Sequence, residues 1–167
     1  MTRNVVGIAG LLSALTALVG ARAHAQLAPP LQSVAPSGAD KLASQSAAAQ
    51  MAGDHEKALQ LADEAIKADS KEPWGYYDRG DALASLHRLD DALAAFRQAA
   101  QRFSVADNWG KSVAIWGQAN VLRQAGRCQD ASPIFEQYAS FVEKLDTDAA
   151  TLARKSEKDC TPTSTPH

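Results

Sequence analysis

Catalysis or metal binding needs several donor groups at spacings that let them converge, and few residues of this chain qualify. Of its four histidines, His24 lies in an N-terminal apolar leader and His167 is the last residue, which leaves His55 and His87. Neither has a second His or Cys at a ligand spacing, and His55-Glu56 lacks the following His of a zinc-protease helix. Both read as helix-end residues. Asp90-Asp91, and likewise Asp146 and Asp148, sit where helices should begin. There the helix dipole favours negative charge, so no general acid is implied. Glycine-rich phosphate loops and nucleophile elbows are absent from the sequence. The expectation is a non-enzymatic chain with no catalytic residue, no metal site and no cofactor.

Aromatic and polar residues do recur at helical spacing. Trp74, Tyr77, Asp81 and Ala84 fall on one face of a helix whose neighbouring face carries Tyr76, Gly80 and Leu83. Further on, Trp109, Val113, Trp116, Asn120 and Arg123 form an equivalent stripe beside Ile115, Ala119 and Leu122. Trp, Tyr and Arg are the side-chain types most often found as binding hot spots. Trp74, Tyr77, Asp81, Trp116, Asn120 and Arg123 are therefore the candidate partner-binding residues. The competing reading is packing: Trp109 as a staple for a long helix, Trp74 as a contact to the preceding hairpin.

Positioning such stripes requires helices, and the composition supplies them. From Lys41 to about Cys160 the chain is dominated by Ala, Leu, Gln, Glu, Lys and Arg, with hardly a proline inside a segment. The breaks predict seven helices, at about 41–52, 55–68, 73–86, 89–103, 107–125, 128–144 and 147–159. Gly53 and Gly126 suit left-handed helix caps, and Pro73 suits a first turn. No segment alternates in polarity over strand length, so no sheet is expected.

The pattern also repeats. Gly53-Asp54-x-x-x-Ala58-Leu59-x-x-Ala62-x-x-Ala65 returns as Asp90-Asp91-Ala92-Leu93-x-x-Phe96-x-x-Ala99, and Ala58 and Ala92 are 34 residues apart. A period of that length with helical spacing inside each unit marks stacked helix hairpins. On these residues the chain resembles the tetratricopeptide repeat family. The middle unit carries the pattern best, with Tyr76, Gly80, Leu83, Leu89, Ala92, Phe96 and Ala99 at the matching places. It departs where Arg79 and His87 replace the usual Leu and Gly, and where Ser104 replaces a terminal Pro. The third unit, with Ile115, Ala119, Leu122, Gly126, Ala131 and Phe135, follows after 39 residues, an insertion of five around Phe103 to Ser112.

The resemblance implies an all-α, right-handed solenoid of about three helix-turn-helix repeats, near 39–72, 73–106 and 107–145, with a capping helix over 147–159. It also implies that the stripes line the concave surface and hold a protein or peptide partner. The paired Lys and Asn residues with which some family members clamp a C-terminal carboxylate are not present. The alternative function is glycan or small-ligand binding, with Trp74, Tyr77 and Trp116 as stacking platforms.

All ten aromatic residues lie between Trp74 and Phe141, so the first hairpin packs mainly Ala, Leu and Ile and should be the least stable. In the last helix, Ala149, Leu152, Ala153 and Ser156 are expected on the packing face. Running up one helix from Cys128 for roughly 24 Å and back down the cap to Cys160 for roughly 18 Å brings the two cysteines near one level. A Cys128–Cys160 disulfide is expected.

The chain begins with Arg3, a 15-residue apolar run from Val5 to Val19, and Ala23-His24-Ala25 ahead of Gln26. This is the pattern of a signal peptide over 1–25, cleaved between Ala25 and Gln26. At ~1.5 Å per residue the run falls short of a ~30 Å hydrocarbon core, and Gly7 and Gly10 interrupt it. Residues 26–40 read as a Pro-rich linker and 161–167 as a disordered tail. Without the leader, 15 basic and 19 acidic residues remain. There is no concentrated basic face for nucleic acid or an anionic membrane. The expected product is exported, periplasmic or secreted, without membrane insertion after cleavage, and capable of weak self-association.

Overall fold

Seven helices, and no strand among the described residues, follow one another through short turns. They are α1 (Gly38–Met51), α2 (His55–Ala68), α3 (Pro73–Ser85), α4 (Leu89–Arg102), α5 (Asn108–Gln124), α6 (Cys128–Val142) and α7 (Thr147–Lys158). The computed structural model describes residues 36–160. The leader over 1–25 with its cleavage point at Ala25 and Gln26, the linker up to residue 35 and the tail over 161–167 lie outside the described residues. The last residues of the segment read as linker are helical. Ser37 accepts from the Asp40 amide while Asp40 accepts from the Ser37 amide, a reciprocal box that starts α1 at Gly38.

The first helix of each hairpin ends in the same way. Gly53, His87 and Gly126 all have positive φ, at 80°, 57° and 68°. In each case the next residue donates back to the helix, from Asp54 to Ala49, from Arg88 to Leu83 and from Arg127 to Leu122. This closure satisfies carbonyls that the helix end would otherwise leave open. Aspartates at Asp54, Asp107 and Asp146, and Glu72 ahead of Pro73, accept from the first-turn amides of α2, α5, α7 and α3.

Consecutive helices pack in antiparallel pairs, and in addition α1 meets α3 and α3 meets α5. No comparable contact joins the second helices α2, α4 and α6. The row of first helices is therefore the shorter, inner side of a curved stack. Phe96 of α4 occupies the centre, 3% exposed. Gly80 of α3 and Gly117 of α5 stand against its ring, where a Cβ would come within 2.9 Å and 2.7 Å of ring carbons. Leu83, Leu122, Ala131 and Phe135 extend the same core towards α6. The first hairpin buries small residues, Ala39, Ala43, Ser46 and Ala49 from α1 and Ala58, Ala62 and Ala65 from α2.

At the C-terminal end α7 packs on α6. Its buried face is Ala150 and Ala153, whereas Leu152 is 53% exposed, so the expected face is rotated away from Leu152. Small Ala150 and Ala153 let α7 approach α6 closely, and in that orientation Arg154 pairs with Glu136 and Glu143 while Ser132 donates to Glu157. The Cys128 and Cys160 sulfurs lie at disulfide distance, with Cα atoms 5.6 Å apart. The start of α6 is thereby joined to the end of α7.

Candidate functional site

Five residues separate α4 from α5 where four separate α2 from α3, and α5 is 17 residues long against 13 for α3. Most of the insertion is thus an added turn of helix at the start of α5. Asp107 caps that turn by accepting from the Gly110 amide. Gly110 lies flat against the Phe103 ring, and a side chain there would collide with it. The close approach carries Trp109 over to Trp74 of α3, with ring centroids 5.1 Å apart. Trp74 in turn meets Phe103 edge-on at 4.9 Å and Tyr77 at 5.6 Å. Trp109 remains 68% exposed.

Beside this pair lies a pocket of about 330 Å³ on the inner face, lined by Asp40, Ala43, Ser44 and Ala47 of α1, Trp74 and Asp78 of α3, and Trp109 of α5. Trp74 and Asp78 are four residues apart and so share one face of α3. Burial pushes the Asp78 carboxyl up to about 7, with Asp81 and Glu72 adding repulsion. Asp81, one turn further along α3, is also raised by burial, offset by a hydrogen bond from Gln50 and by His55. Gln50 donates to Ser85 Oγ at 2.7 Å, and its Oε1 lies 2.9 Å from His55 Nδ1. His55 therefore ties the start of α2 to α1. Among the described residues no group of three or more metal-ligating side chains comes together.

The six candidate residues divide among four settings: the pocket, the core, the neighbourhood of α1 and the later turns of α5. Trp74 lines the pocket. Tyr77 leans edge-on against Phe96 at 5.5 Å and joins the core, where burial, then Asp81 and Asp78, push its hydroxyl up to about 12. Asp81 is half-buried near the α1 end of the row. Trp116 packs on Phe135 at 5.6 Å and on Tyr138 at 5.0 Å, against the main core. Asn120 donates to the Trp116 carbonyl at 3.2 Å and accepts from Arg123 at 3.4 Å, so these three form a chain along α5. The fold brings Trp74 and Trp109 together and leaves Trp116, Asn120 and Arg123 outside the pocket lining.

Asp78 is the residue that sequence reasoning missed. A step of three and then four from Trp74 selects Tyr77 and Asp81, and a step of four selects Asp78. A carboxylate directly after the aromatic run Trp74, Tyr76 and Tyr77 is the available signal, because large rings of that kind are usually buried.

Comparison of the sequence with protein-family models and with curated proteins finds no match. The fold is similar to that of the TPR2B domain of yeast Sti1 in its complex with pHsp70. The TM-score is 0.64 at 17% sequence identity, with 72% of this chain and 93% of that chain covered. At that identity the likeness is one of fold, and the architecture is a tetratricopeptide-like helical solenoid.

Proposed function

We propose that this protein is an exported interaction module that holds a segment of a partner protein along the inner row of α1, α3 and α5. The observation that carries the proposal is the wall built by the extended α5, which sets the exposed Trp109 across one pocket on that row from Trp74 and the buried Asp78 carboxylate of α3. Large exposed aromatic side chains beside a pocket are the usual anchors of an interface. The similar fold of a domain in complex with pHsp70 agrees with such a use, as an analogy of architecture. The leader sequence and the Cys128–Cys160 pair support export to an oxidising compartment, the periplasm or the exterior. Trp116, Asn120 and Arg123 extend the proposed surface along α5.

A photoreactive residue placed in the producing cells at Ala47, exposed on the inner face, tests the reading against one placed at Lys67, exposed on α2. The expected result is a discrete protein adduct from Ala47 and none from Lys67. Equal adducts from both positions would remove the inner row from the account. The exposed Trp109 ring also favours a second reading, stacking of a glycan or another small ligand. Quenching of tryptophan fluorescence by soluble glycan fragments, with no protein adduct at Ala47, would support that reading instead.

A further inference from the structure

Packing alone leaves Asp78 unexplained. Its residue is nine-tenths buried, yet among the described residues no donor hydrogen-bonds to its carboxylate and no cation pairs with it. The charged groups around it are acidic: Glu72 and Asp81 on its own helix and Asp40 across the pocket on α1. Glu72 is occupied by the Trp74 and Gly75 amides, and Asp40 by the Ser37 amide. His55 of α2 faces Asp81, and α5 brings Trp109 to the pocket but no charge. No basic residue lines the pocket among the described residues.

We infer that this pocket receives a lysine or arginine side chain of the partner segment, with Asp78 as counter-ion and the Trp74 and Trp109 rings as the surface on which the cation lies. The inference rests on the groove-binding reading and names the chemistry of its occupant. Aromatic faces attract ammonium and guanidinium groups, more strongly where water is excluded. The Asp78 carboxylate, mostly buried and wetted only through the pocket, loses much of its hydration, and a cation arriving from outside offsets that loss. A divalent metal would need more oxygen ligands than Asp40 and Asp78 supply. The volume of about 330 Å³ suits one side chain and is at the small end for a whole ligand. At pH 8 Asp78 is ionised and ready to pair, and below pH 6 it is protonated.

The test uses blocked tripeptides, Ala-Lys-Ala and Ala-Arg-Ala against Ala-Gln-Ala, titrated into the purified protein at pH 8 while the indole N–H signals of Trp74 and Trp109 are followed by NMR. At least one basic peptide should bind about tenfold more tightly than the Gln peptide. Asp78→Asn should erase that preference, whereas Asp91→Asn, on the exposed side of α4, should keep it. Lowering the pH to 5.5 should erase it as well. Equal affinity for basic and neutral peptides would overturn the inference, and so would a preference that survives Asp78→Asn. Butylammonium binding as tightly as the basic peptides would overturn it too, by assigning the pocket to a free amine. The adduct at Ala47 does not depend on charge recognition, so a failure here leaves the groove reading to its own test.

Discussion

His87 adopts a φ of 57°, the conformation that Gly53 and Gly126 take at the equivalent turns. The sequence shows the departure from glycine, and the structure shows that the turn is kept at the expense of strain in a residue with a Cβ. His87→Gly should therefore stabilise the protein by about 1 kcal/mol, read as a higher urea midpoint. Asp78 carries a second strain, in its charge. Its folded-state pKa of about 7 lies above the ordinary 3.8, so folding favours the protonated form. The stability that follows is complete below pH 4 and is lost as pH rises to 7. Asn has no proton to lose, so Asp78→Asn should exceed the wild type by about 2–4 kcal/mol at pH 8 and converge with it near pH 4. Urea unfolding at both pH values measures the difference, and an equal gain at both would show that charge is not its origin. A carboxylate that weakens the fold where it stands is what a binding role would leave behind.

At the scale of elements, the helix boundaries were largely legible because caps and breaks are written in single residues such as Gly53, Pro73 and Gly126. The start of α1 was not, since the Ser37–Asp40 box lies within a stretch whose prolines and glycine suggest a linker. The rotation of α7 was hidden for a different reason. Alternating small and charged residues permit two faces, and the choice between them depends on partners outside the helix, among them Glu136 on α6 and Glu143 just past its end. The candidate site was half legible. Helical spacing finds Trp74, but whether Tyr77 and Trp116 face solvent depends on Phe96 and Phe135 from the neighbouring hairpins. Unequal packing has a measurable result. The cluster of Ala49, Ala58 and Ala82 contains no ring, whereas α3 to α6 are built on Phe96, Phe103 and Phe135. Amides of α1 and α2 should exchange at least tenfold, or roughly 1.4 kcal/mol, more readily than those of α3 and α4. Equal protection of both hairpins would contradict this.

Across the whole described unit, contacts run between neighbours in the stack, and α7 reaches the rest through α6. Such an array is stable as a sum of local units and interfaces, so one central side chain can decide whether it melts together. Phe96 holds that position, because its ring fills the space that Gly80 and Gly117 leave on α3 and α5 and meets Tyr77 edge-on. Removing it severs the first two hairpins from the third, while the Phe135 core and the Cys128–Cys160 link keep α5, α6 and α7 joined. Phe96→Ala should cost about 3–5 kcal/mol in α3 and α4. It should also split one urea transition into two, the later one belonging to α5–α7. Exchange of amides resolved by helix would show α1 to α4 opening first. A single transition with an unchanged slope would mean that the stack is cooperative from end to end despite its neighbour-to-neighbour contacts. The inner row would then respond to a partner as one body, and an occupant seated at Trp109 would stabilise α1 as much as α5.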